Sequence, residues 1–143
     1  MRDPSVCTFC GLGEVVPDAA EGHGLVCAVC GWRVGDAPDA DLPRPRVDVV
    51  YYLRWHDRIK IGTSAQPRRR LAAILHEDLL AFELGDRTLE RTRHAQFARL
   101  REGGEWFRAA DELLLHAAAL AADTPPWHAY ARWMADALRR TVS

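Results

Sequence analysis

The chain has 143 residues, of which 48% are hydrophobic and 27% are charged, and its formal net charge is −1 at pH 7. These values predict a folded, soluble protein and exclude two complete enzyme domains, because one domain needs on the order of 100 residues to bury a core. The balanced net charge does not by itself favour nucleic-acid binding. Without an apolar leader or a long apolar segment, we expect a cytoplasmic protein with no membrane association, in a compartment that keeps thiols reduced.

Two Cys-x-x-Cys pairs near the N-terminus, each followed by Gly, are separated by 16 residues. This spacing is typical of a four-cysteine zinc site, in which the glycine after each pair lets backbone amides approach the sulfur atoms. The pattern resembles a zinc ribbon over residues 1–35. It predicts one structural Zn²⁺ bound by Cys7, Cys10, Cys27 and Cys30. A disulfide pair or a redox dithiol is the alternative, and four thiolate ligands would leave no position for catalysis at this metal.

The rest of the ribbon and the segment after it are also predicted from local composition. Short strands are predicted for residues 14–16 and 24–27, and Trp32 is predicted to cover the metal. Residues 36–46 contain three prolines and no apolar periodicity. This segment is therefore predicted to be a semi-rigid linker.

Residues 47–108 are predicted to form an α+β domain, a three-stranded antiparallel sheet flanked by helices. A hairpin is expected from strands 47–54 and 58–62, followed by a helix over 65–76 capped by Ser64, a strand over 79–84 and a helix from Asp86 to Arg101 that ends at Gly103-Gly104. In the first helix, Leu71, Ile74 and Leu75 are predicted to face the core. Trp106 and Phe107 are interpreted as core residues.

Two helices, over residues 109–122 and 127–140, are predicted for a C-terminal extension spanning 109–143. Apolar residues recur at helical spacing in the last helix. This stripe serves either core packing or a dimer interface. A homodimer formed through the C-terminal helices is therefore one of the two alternatives that the pattern leaves open.

Pairing Leu53 with Lys60 across the hairpin places Tyr51 on the same face as Lys60, because strand side chains alternate. Tyr52 then faces the other way, whereas a loop one residue longer or shorter would exchange the faces of the two tyrosines. An ammonium beside a phenol lowers the phenol's pKa from about 10 toward neutrality, which would make Tyr51 a general base. Lys60 is the single Lys among 19 basic residues, and residues 47–108 carry 11 Arg and 1 Lys against 9 acidic residues.

Several short motifs follow one another in this segment. They are Val50-Tyr51-Tyr52, Lys60-Ile61-Gly62-Thr63-Ser64, Arg70-Leu71, Glu90-x-x-x-His94-x-x-Phe97 and Gly104-Glu105-Trp106-Phe107. In their order and spacing they resemble the GIY-YIG nuclease superfamily, above all its short phage and bacterial branch. The resemblance covers about residues 47–116.

The resemblance implies a metal-dependent endonuclease that hydrolyses phosphodiester bonds, with nucleic acid, DNA in particular, as its partner. It implies catalytic roles for Tyr51, Lys60, Arg70, Glu90 and His94. Glu90 is also the expected ligand of a catalytic Mg²⁺ or Mn²⁺ ion. Hydrolysis needs an activated water, positive charge on the phosphate oxygens and help for the leaving alkoxide, and these residue types can supply all three. Arg68 and Arg69 are expected either to form an exposed helix face or to contact phosphates.

The chain contains no Asn, whereas the superfamily usually contributes a late asparagine to the site. Two alternatives therefore stay open beside the nuclease: a non-catalytic nucleic-acid-binding module with the same fold, and a zinc-ribbon protein adaptor. Taken singly, Tyr51 also suits a packing role in a strand, and Glu90 with His94 suits an ordinary surface pair on a helix.

Overall fold

The computed structural model describes residues 5–36 and 44–142. They fall into two compact units. One combines the N-terminal segment up to Arg46 with the last helix, and the other spans Val47–Pro126. Most of the predicted linker, residues 37–43, lies outside the described residues. Among the described residues, no helix has both the length and the apolar character that a membrane crossing requires.

The first unit is built around an antiparallel hairpin of two short strands, β1 (Val15–Pro17) and β2 (Leu25–Cys27). Helix α4 (Pro126–Val142) belongs to this unit and packs an apolar stripe against the cysteine-bearing turns. The buried residues of the stripe are Ala131, Ala135 and Leu138. The stripe is thus used for packing within the chain, which is the first of the two uses that its spacing predicts.

The second unit contains a five-stranded antiparallel sheet, so the predicted α+β class is confirmed but the predicted count of three strands is wrong. In chain order the strands are β3 (Val49–Trp55), β4 (Arg58–Ser64), β5 (Asp78–Leu84), β6 (Arg101–Gly103) and β7 (Trp106–Arg108). Their order across the sheet is β5-β3-β4-β7-β6.

The two additional strands result from a helix that ends earlier than predicted. Asp86 caps helix α2 (Arg87–Gln96), and its side chain accepts a hydrogen bond from the Thr88 amide at 2.9 Å. The helix is followed by a single 3₁₀ turn. The chain then enters β6, and Gly104, with φ of +55°, belongs to the turn into β7. The glycine pair predicted to end a helix therefore connects two strands.

Helix α1 (Pro67–Ala72) is also shorter than the predicted 65–76. The Ser64 hydroxyl accepts a hydrogen bond from the Gln66 amide at 2.9 Å, in the turn that precedes the helix. Leu71 is buried as predicted, but Leu75 is 73% exposed. Because α1 ends before Leu75, helical spacing no longer determines which way this side chain points.

One face of the sheet forms the main core of the second unit, covered by residues from α2, from the 3₁₀ turn and from α3 (Asp111–Ala121). Its sheet residues are Val50, Tyr52, Ile59, Ile61, Ala81 and Phe107. The predicted register, in which Leu53 pairs with Lys60, is the observed one. Tyr51, which pairs with Gly62, therefore lies on the face opposite Tyr52.

Candidate functional site

The four cysteine sulfur atoms lie within 4.8 Å of one another. The Sγ atoms of Cys7 and Cys30 are 3.9 Å apart, and those of Cys10 and Cys27 are 3.7 Å apart. Tetrahedral zinc with Zn–S bonds of about 2.3 Å separates its ligands by about 3.8 Å, whereas a disulfide needs about 2.05 Å. The cluster fits a zinc ion and does not fit disulfides, and it is the only such group of His, Cys, Asp and Glu side chains within residues 5–36 and 44–142.

Backbone amides surround these sulfur atoms. N–H groups donate to cysteine Sγ atoms at 3.3–3.4 Å from Phe9, Leu12, Val29, Cys30 and Trp32. Burial opposes ionisation of Cys27, yet the amides of Cys30 and Val29 and the neighbouring thiols lower its pKa to about 7. Trp32 is buried among the cysteines and stacks on Phe9 with ring centroids 4.4 Å apart. This arrangement is suited to holding thiolates around a structural metal.

In the second unit, the candidate site forms where β4 extends beyond its neighbour β7. Strand β7 pairs with β4 only from Arg58 to Lys60. The Ile61 amide donates to the Glu105 carbonyl at 2.9 Å, and the Ile61 carbonyl accepts from His94 Nε2 at 2.8 Å. The His94 side chain of α2 thus reaches the edge of β4 directly beyond the residues that pair with β7. Because a carbonyl only accepts, Nε2 of His94 carries the proton.

Tyr51 lies next to β4 on the face away from the main core. The residue is 1% exposed, and the exposed Arg70 guanidinium on α1 is the cation that acts to lower the pKa of its hydroxyl. A Cβ built on Gly62 would lie 2.4 Å from the Tyr51 hydroxyl oxygen and 2.9 Å from Glu105 Oε2. Because Gly62 has no side chain, the Tyr51 hydroxyl and the Glu105 carboxylate can occupy the space above the strand.

Three charged side chains continue the cluster. Lys60 Nζ lies 3.6 Å from Glu105 Oε2, and it lies 5.6 Å from the centre of the Trp106 ring. The carboxyl group of Glu105 also interacts electrostatically with that of Glu90. Burial and the adjacent Glu90 raise the pKa of Glu105, and the charges of Lys60 and His94 act in the opposite direction.

Glu90 is the one charged residue among the described residues that is buried, with 7% exposure. Thr63 donates a hydrogen bond to its Oε2, and His94 Nε2 lies 3.7 Å from its Oε1. His94 itself packs on Phe107, with ring centroids 5.0 Å apart. Glu90 is therefore held in a fixed position between α2 and the edge of β4.

The prediction that Lys60 lowers the pKa of Tyr51 is wrong in direction. Burial raises the pKa of Tyr51, the charges of Glu105 and Glu90 raise it further, and Arg70 opposes them. Lys60 is not the neighbouring cation, because its ammonium pairs with Glu105. The neutral phenol is thus the favoured form of Tyr51 in the protein alone.

The five residues predicted for the site, Tyr51, Lys60, Arg70, Glu90 and His94, are linked into one cluster through Glu105 and the edge of β4. Arg68 and Arg69 lie on α1 and are exposed. The sequence reasoning missed Thr63 and Glu105 as members of the cluster. Thr63 belongs to the Lys60–Ser64 motif, and Glu105 belongs to the Gly104–Phe107 motif. Their polar side chains within these motifs could have identified them as candidates.

Comparison of the chain with protein-family models, with characterised proteins and with solved structures gave no match.

Proposed function

We propose that the second unit is a phosphodiester hydrolase acting on DNA, related in fold and site to GIY-YIG nucleases. The observation that carries the proposal is the arrangement of Tyr51, Arg70 and Glu90 around one stretch of β4, with Lys60 and His94 beside them. The order of the motifs along the chain and the β-β-α-β-α order of the elements both support it.

The residues present fit the divalent ion that this reaction needs. Glu90 and Glu105 place two carboxylates beside neighbouring residues of β4, and such a pair favours a hard cation with oxygen ligands. Mg²⁺ commonly binds through one or two carboxylates together with substrate phosphate and water. Glu90 would hold the ion, which when bound supplies a Lewis acid for the phosphate and stabilises the leaving alkoxide.

The side chains divide the remaining work. Arg70 is exposed and cationic, so it can bind the non-bridging phosphate oxygens on which negative charge develops. Tyr51 can orient the attacking water and accept its proton once Arg70 and a bound cation counter the effect of burial. The Ile61 carbonyl fixes the His94 ring by accepting a hydrogen bond from its Nε2. The same nitrogen lies 3.7 Å from Glu90 Oε1, so His94 helps to position Glu90. Lys60 positions Glu105.

The four-cysteine unit has a different part in the proposal. Its metal site is closed, because every ligand is a protein thiolate. We assign it to binding or positioning of nucleic acid.

Cleavage of supercoiled DNA in the presence of Mg²⁺ or Mn²⁺ tests the proposal. Tyr51→Phe, Arg70→Ala and Glu90→Gln are each expected to lower the rate at least a hundredfold. Tyr52→Phe is the matched control, because the neighbouring tyrosine points into the core on the other face, and it is expected to keep activity. Equal activity in all five proteins would refute the proposal.

One observation favours a second function, a nucleic-acid-binding module without turnover. The raised pKa of Tyr51 leaves the protein without a ready base, in line with the missing asparagine. Binding would then depend on salt through Arg68, Arg69 and Arg70, and no product would form with any metal. The same assay, joined to a binding measurement at two salt concentrations, distinguishes the two functions.

A further inference from the structure

We propose that Glu105 would be a second carboxylate ligand of the divalent ion, in addition to Glu90. The inference rests on the proposed function and adds a residue to the same site. Glu105 lies directly before β7, and Glu90 lies in α2, so the two ligands would come from different elements.

The backbone fixes the position of Glu105. Its carbonyl accepts the Ile61 amide at 2.9 Å, which continues the pairing of β4 with the chain just before β7. The side chain then extends over β4, where its Oε2 lies 3.6 Å from Lys60 Nζ and close to Gly62. The next residue of the strand, Thr63, donates a hydrogen bond to Glu90. The Glu105 carboxyl group is thus held at the cluster by its contact with Lys60.

Gly62 keeps the space at the cluster open. A Cβ there would come within 2.9 Å of Glu105 Oε2 and 2.4 Å of the Tyr51 hydroxyl oxygen. The two oxygen atoms face the same small volume above the strand. Together with Glu90, they provide an oxygen-rich surface at the edge of β4, which is the type of ligand that Mg²⁺ and Mn²⁺ prefer.

The same hairpin provides a matched control. Glu102 lies in β6, three residues before Glu105, and its side chain is 41% exposed. It pairs at 3.9 Å with Arg58. Replacing Glu102 removes one negative charge from the same hairpin without touching the contacts of Glu105. It therefore separates direct ligation from a general change in charge.

The experiment is a titration of the zinc-loaded full-length chain with Mn²⁺, followed by electron paramagnetic resonance of the free ion. Four proteins are compared: wild type, Glu90→Gln, Glu105→Gln and Glu102→Gln. We expect the Mn²⁺ dissociation constant to rise at least tenfold in the first two variants and less than twofold in Glu102→Gln. Thermal unfolding of each protein checks that the Gln variants are folded.

Two negative outcomes are distinguishable. If Glu105→Gln binds Mn²⁺ as tightly as wild type while Glu90→Gln does not, Glu105 is no ligand, and the proposed function stands with Glu90 alone. If the wild-type protein binds no Mn²⁺ at millimolar concentration, the inference is overturned together with the metal-dependent part of the proposed function. Equal weakening in all three variants would also overturn the inference, because charge alone would then explain it.

Discussion

The hydroxyl of Tyr51 lies directly above the Cα of Gly62, its partner on the neighbouring strand, so that a Cβ there would be 2.4 Å from the hydroxyl oxygen and 2.5 Å from the ring carbon that bears it. The Tyr51 ring is rigid and buried, and it cannot move aside as the end of a flexible side chain can. Glycine at position 62 is therefore a requirement of the site rather than of a backbone turn.

Gly62→Ala is expected to displace the Tyr51 phenol and to lower the free energy of unfolding by about 1–3 kcal/mol, the usual cost of overpacking. Any cleavage activity should fall together with stability, because the hydroxyl loses its place beside Arg70. Urea unfolding and the DNA cleavage assay measure the two effects.

A double-mutant cycle provides the control for this prediction. In a Tyr51→Leu background the clashing ring end is gone, so Gly62→Ala should cost clearly less there than in wild type. An equal cost in both backgrounds would show that the alanine acts through something other than Tyr51.

The placement of Tyr51 could be predicted from the sequence, because the hairpin loop fixes the register and the register fixes which side chains share a face. The four-cysteine cluster could be predicted because the spacing of the cysteines along the chain is typical of a zinc site. Both are local relationships along the chain.

The parts that could not be predicted depend on distant contacts. The pairing of β6 with β7 is possible because α2 ends early, at Gln96. The sequence after Gln96 contains no signal that ends a helix until the glycine pair at 103–104. The contact of Glu105 with Lys60 joins the turn between β6 and β7 to strand β4, and the effect of burial on the pKa of Tyr51 depends on what packs around it. An amphipathic pattern gives α4 an apolar face but not the identity of the surface beneath it.

Removal of zinc is expected to unfold α4 as well as the ribbon. The core of the first unit consists of cysteines, Trp32 and the apolar stripe of α4, and most of the stability of a protein helix comes from packing of its apolar face. Treatment with a strong chelator should lower the helical circular dichroism signal, and added zinc should restore it.

The control for zinc removal is the second unit, which has its own core around Tyr52 and Phe107. Its cooperative thermal transition should remain after chelation. An unchanged helical signal in protein shown by metal analysis to lack zinc would contradict the prediction.

Arg139→Ala is expected to weaken zinc binding without removing a ligand. Arg139 Nη1 donates to the Gly31 carbonyl at 2.6 Å, which connects α4 to the second cysteine turn. Its side chain is 42% exposed, so we expect a loss of about 1 kcal/mol, or about fivefold in zinc affinity, measured by competition with a coloured chelator. Arg132→Ala, two turns earlier on the same helix, should keep wild-type affinity, and equal weakening in both variants would contradict a specific role for Arg139.

The last prediction concerns His116, which lies in a polar network at the edge of the main core. The Tyr52 hydroxyl donates to Glu83 Oε1 at 2.9 Å, so His116 Nε2, 3.2 Å from that hydroxyl, must be the donor to it. Glu83 also accepts from Arg93 Nε at 3.0 Å. Burial lowers the pKa of His116, the charge of Arg93 lowers it further, and Glu83 opposes both.

Because the pKa of His116 is lower in the folded protein than its unfolded value of about 6.5, the unfolded state takes up a proton first as the pH falls. Stability should therefore decrease below about pH 6.5 until the folded pKa is reached. The slope should stay below the one-proton limit of about 1.4 kcal/mol per pH unit, since the imidazole is partly exposed. Between pH 7.5 and pH 5, urea unfolding should show a smaller loss of unfolding free energy for His116→Gln than for wild type. His23→Gln, at an exposed position, should match wild type. Parallel curves for all three proteins would show that His116 does not couple protonation to folding.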